Sequence, residues 1–75
     1  NMVISERKIK QQLRTMIPQN NHIRSGTTEA IQEIMQKEFE VLCIAIVDEA
    51  LASSGSDAIT TEDVWVAYGK MKVMR

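Results

Sequence analysis

The sequence predicts an all-α chain with one domain and three helices, in the order short, long, short. Three observations lead there. Apolar residues recur at spacings of three, four and seven in three separate stretches, the signature of helical faces. Pro18 and the Ser53-Ser54-Gly55 run interrupt those stretches where a helix would have to stop. No alternating pattern of strand type competes with them, and 75 residues hold one small domain, because a second core would need roughly 50 more.

The first helix is expected at about residues 6–17, with Ile9, Leu13, Met16 and Ile17 on one face and Ser5 as its N-cap. Pro18 ends it, and Pro18-Gln19-Asn20-Asn21-His22 reads as a loop. The second helix is expected at about 28–53, capped by Ser25 or Thr27, with Glu29 in its first turn. No breaker interrupts it, so it runs for roughly 39 Å. The third is expected at about 61–74, opened by Thr60-Thr61-Glu62-Asp63, a cap followed by an acid in capping-box spacing. Val64, Ala67, Tyr68 and Met71 continue its apolar face, and Lys70, Lys72 and Arg75 lie near its C-terminus, where cations are favoured.

The long helix changes character at its midpoint. Ile31, Met35, Phe39, Leu42 and Ile46 form one stripe. Beyond Phe39, Cys43, Ile44, Val47 and Leu51 load the opposite side, so the second half is apolar nearly all round. Two short helices cannot surround it, and a second chain is expected to cover the rest. Glu38 and Glu49 read as rim residues beside the stripe.

Composition excludes several classes. Hydrophobic residues make up 44% and charged residues 25%, with three glycines and one proline, which is globular rather than collagenous, low-complexity or disordered. A single cysteine, Cys43, forms no intramolecular disulfide or thiolate cluster and suits a reducing, intracellular compartment. The apolar run from Val41 to Val47 is far too short to span a bilayer, and no signal-peptide pattern opens the chain. No membrane is expected, and Asn1-Met2 reads as a remnant before a native start.

The net charge of −1 conceals a segregation. Residues 1–26 carry Arg7, Lys8, Lys10, Arg14 and Arg24 against Glu6 alone, a net +4. Residues 27–63 carry Lys37 against nine carboxylates, a net −8, and residues 64–75 return +3. Basic ends flank an acidic middle, which creates a local anion-binding surface without a basic total.

Short helix, long helix and short helix, closing on Ile59-Thr60-Thr61-Glu62-Asp63-Val64, resembles the histone fold over nearly the whole chain. The opening Ile4-Ser5-Glu6-Arg7-Lys8-Ile9-Lys10 is similar to the first helix of short archaeal histones. The resemblance implies a handshake dimer formed by crossing the long helices, binding to double-stranded DNA, and a place in chromatin or the nucleoid. The second loop departs from the DNA-binding members of the family, which carry a cation and a threonine before the isoleucine. Here Asp57 and Ala58 stand before Ile59, although Asp63 keeps the family's aspartate.

Phosphate contact therefore falls to Arg7, Lys8, Lys10, Arg14 and Arg24. Arg7, Lys10 and Arg14 share an arc of about 60° on the first helix. Arg24 precedes the second helix, whose free N–H groups also attract anions. The bland alternative for each cation is a solvated charge or an ion pair with the acidic middle helix. The expected dimer interface is Ile31, Met35, Phe39, Leu42, Ile46, Val47 and Leu51, in a homodimer or with a different histone-fold chain.

The leading expectation is a homodimeric DNA-binding protein; its rival is a histone-fold subunit of a transcription or chromatin assembly with little DNA binding. The helical lid of a nucleotide-dependent ATPase has a similar last-helix pattern and ranks third. No enzymatic chemistry, cofactor, metal or small-molecule substrate is expected, because His22 and Cys43 stand alone and Glu29 with Glu33 lacks further ligands. Cys43 reads as core and His22 as an exposed loop residue. Trp65 and Tyr68 read as core or interface rather than as a base-stacking platform.

Overall fold

The computed structural model describes residues 4–53 and 57–74, so Ser54 and Gly55 of the expected breaker, Asn1-Met2 and Arg75 lie outside the described residues. The fold is all-α: α1 spans Glu6–Arg14, α2 Thr27–Ser53 and α3 Thr61–Met74, with no strand among the described residues. Two compact units divide it, Asn1–Glu38 and Phe39–Arg75, and α2 runs through both.

In the first unit, Ser5 caps α1 by accepting from the Lys8 N–H at 3.1 Å. The helix stops at Arg14, three residues short of the expected Ile17. Thr15 supplies the reason, because its hydroxyl donates to the Gln12 carbonyl at 2.6 Å and competes with the helical ladder. Met16 N–H then bonds Leu13 at 3.0 Å, a tighter i to i+3 closure ahead of Pro18. Early termination removes Met16 from the apolar face, and it is 73% exposed.

Neither Ser25 nor Thr27 caps α2. Gly26 does so, its carbonyl accepting from Ala30 N–H at 3.0 Å. The chain enters through a turn closed by Thr27 N–H to the Arg24 carbonyl at 3.2 Å, with Gly26 at φ +87° in the third position. Only glycine takes that angle without strain, which puts Gly26 rather than Ser25 or Thr27 at the cap. Thr28 is buried and donates to Glu6 Oε1 at 2.8 Å, while buried Gln32 donates through Nε2 to the Ile4 carbonyl at 3.0 Å. These bonds tie the first turn of α1 and the residue before its cap to the start of α2. Ile9 and Leu13 line a groove with Ile31 and Met35 beside them.

In the second unit, Thr60 and Asp63 form the expected capping box. Asp63 N–H bonds Thr60 Oγ1 at 3.2 Å, and Thr60 N–H returns to Asp63 Oδ2 at 3.0 Å. The other carboxylate oxygen accepts from Ser53 Oγ at 2.9 Å, joining the end of α2 to the start of α3. A turn and more along, Lys70 Nζ reaches Glu49 Oε1 at 2.6 Å. Glu49 is thus half-buried and paired with α3. Between these two ties in sequence lie Ala50 and Ala67, 4% and 1% exposed. Small side chains fill the buried positions of this unit, and the large ones remain partly in water.

Candidate functional site

Three of the five expected phosphate contacts come together. Arg7, Lys10 and Arg14 line one open depression on α1 with Gln11 and Thr15 between them. All three are exposed, and among the described residues none is in an ion pair. Arg14 is the best held, because its Nη1 donates to the Asn21 carbonyl at 3.1 Å and so ties the helix to the following loop. Like charges this close repel one another, which favours an anion that neutralises them together. Arg24 is exposed on the same loop, three residues beyond Asn21. Lys8 stands apart, on the flank of the apolar groove with Ile4, Ile9, Gln12 and Leu13.

Ion pairing with the acidic helix occurs elsewhere. Lys70 is neutralised by Glu49, and Lys37 pairs with Glu33 at 3.4 Å within α2. Lys72 lies 5.6 Å from the centre of the Tyr68 ring, within cation–π range. Glu33 is thereby engaged with a lysine, and no group of three or more metal-ligating side chains exists among the described residues. In the second loop Asp57 is exposed just ahead of Ala58. The buried Asp63 carboxyl is held below its ordinary pKa, first by the Thr60 N–H, then by the Ser53 hydroxyl, against the opposing effect of burial. It remains an anion whose bonds are directed inward.

The apolar surface divides between the units. Ile31 and Met35 are half-buried beside Ile9 and Leu13, so part of the expected interface stripe already has cover from α1. Leu42, Cys43 and Ile46 are half-buried. Cys43 therefore sits on the partly covered side of α2, not on the open one. That open side presents Val41, Ile44, Val47 and Leu51, which are 48%, 64%, 46% and 56% exposed. Ile44, Val47 and Leu51 follow at three and seven, one continuous line on the helix. Phe39 is also exposed, and no large side chain among the described residues is fully buried.

Trp65 and Tyr68 are not core residues of this chain, being 67% and 46% exposed, with ring centres 6.3 Å apart in an edge-to-face arrangement. His22 is exposed in the first loop. No helix among the described residues is long and apolar enough to cross a membrane. The residues that sequence reasoning missed are Thr28, Gln32 and Asn21, polar groups whose partners lie 7 to 28 residues away and leave no local pattern. Comparison with protein-family models, with curated proteins and with solved structures gives no match for this chain.

Proposed function

We propose that the chain is a histone-fold protein that pairs through its central helix and binds double-stranded DNA by sequence-independent phosphate contacts, helping to organise a nucleoid or chromatin. The observation that carries this reading is the Arg7, Lys10 and Arg14 cluster, exposed on one depression with no carboxylate in an ion pair with it among the described residues. Phosphates of a duplex recur at short intervals, so a row of cations on one helix neutralises several of them at once. Contacts of this kind set affinity and orientation without reading bases. The open α2 line of Ile44, Val47 and Leu51 supports the pairing, since an apolar stripe of that length on a soluble chain marks a surface for another chain. Pairing doubles the cationic cluster.

Six contacts per pair give a slope of about −5 in log affinity against log salt, or roughly a 10³-fold loss between 50 and 200 mM. A fluorescence titration of duplex DNA across that range tests the reading, with Arg7, Lys10 and Arg14 replaced together by glutamate. The parent should show the steep slope and the variant should lose binding. Absence of binding by the parent at low salt would overturn it. That outcome favours the second reading, a protein-interaction subunit, for which Asp57 and Ala58 in the second loop speak: they place a negative charge and a methyl group where the resemblance leads one to expect a cation and a hydroxyl.

A further inference from the structure

One face of α3 is exposed, and among the described residues its side chains touch only Tyr68 of the same helix, through Trp65 and Lys72. Val64, Ala67 and Met71, the apolar residues that α3 buries wholly or in part, lie at spacings of three and four, with buried Asp63 beside them at the helix start. About 150° round the helix lie Glu62, Trp65, Gly69 and Lys72, all exposed, at spacings of three, four and three. That spacing is the alternation of a two-helix seam. Gly69 stands out on it. A glycine inside a helix weakens it relative to alanine, and a Cβ built at Gly69 meets nothing within 4 Å, so packing inside the chain does not require the bare backbone there. Beside it Trp65 is 67% exposed, its ring braced edge-on by Tyr68.

We propose that this face docks antiparallel on the same face of a second copy. In an antiparallel seam the two alternating positions face each other across the pair. Glu62 then meets Lys72 of the other copy, and Trp65 meets Gly69, each contact occurring twice about a two-fold axis. The four residues are complementary to themselves in both charge and size: an acid faces a base, and the largest side chain faces the position that has none. The interface is separate from the pairing along α2. Two different two-fold contacts on one chain join pairs into an open row, a way to extend an assembly without further residues.

Sedimentation velocity at low salt tests the contact with Glu62→Lys, Lys72→Glu and an equimolar mixture of the two variants. Each variant alone sets like charges against each other twice, and should associate roughly tenfold more weakly than the parent. The mixture restores both opposite pairs and should recover the parent's association. Single variants that associate like the parent, or a mixture no better than its components while circular dichroism shows both helical, would overturn the proposal. Gly69→Leu covers the case in which charge reversal unfolds the chain, because leucine strengthens the helix and fills the space for Trp65. It should weaken association with helicity kept or raised; unchanged association overturns the contact. Ile44→Ala on α2 acts on the other surface, so failure of either contact is read separately.

Discussion

Replacing Ile44 by alanine asks whether the open face of α2 is covered by another chain. Ile44 is 64% exposed in the single chain. Burying a whole isoleucine side chain contributes about 1.5–3 kcal/mol, so covering the exposed part contributes ~1–2 kcal/mol per copy. A two-fold pair carries the side chain twice. Its loss then costs ~2–4 kcal/mol and weakens the pair roughly 30- to 800-fold. On a face left in water the sign reverses, because alanine is the better helix former by a few tenths of a kcal/mol. Sedimentation equilibrium and thermal melting at two concentrations about 100-fold apart distinguish the cases, since folding coupled to pairing raises Tm with concentration. Each kcal/mol moves the Tm of a domain this small by roughly 4–8 °C. A concentration-independent Tm, with an alanine variant as stable as the parent, would refute the covered-face argument and the pairing with it.

Two further outcomes follow from the buried polar groups. Asp63 has a lowered pKa in the folded chain, so its contribution is fully present above the unfolded value and is lost as pH falls through the folded one. Acid unfolding of the parent should therefore steepen below the ordinary carboxylate range, and Asp63→Asn should be less stable at neutral pH and flatter in acid. Thr28→Val keeps the shape of a side chain that is 4% exposed and deletes its hydrogen bond to Glu6. A loss of ~1 kcal/mol is expected, read as a lower urea midpoint at unchanged m-value. No change in midpoint would mean that water replaces the bond at no cost.

Helix existence was legible because capping and periodicity are local. Ser5 and the Thr60 to Asp63 box act within four residues, and both are found where their residue types and spacing put them. The end of α1 was not legible in the same way. Apolar spacing continues to Ile17, but the hydroxyl of Thr15 ends the ladder first, a contest between two local preferences that spacing alone does not decide. At the start of α2, Ser25 and Thr27 have the hydroxyls that capping favours, but the turn needs a positive φ at position 26 and so puts Gly26 at the cap.

The candidate site shows the same division. The arc of Arg7, Lys10 and Arg14 follows from helical geometry, whereas the separation of Lys8 follows from the apolar groove it borders. That Lys70 and not Arg7 would be neutralised by the acidic helix depended on which helix lies beside Glu49.

By itself, the order of residues determined three helices and an α2 with too much apolar surface, because each is a property of neighbours within about two turns, and it determined the charge segregation, which is a sum along the chain. Tertiary structure alone decided which of those apolar residues have cover and which remain open: Ile31 and Met35 beside α1, Ile44, Val47 and Leu51 in water. Burial is a relation between distant segments, so it depends on where α1 and α3 pack, and the buried Thr28, Gln32 and Asp63 mark the points that hold them there.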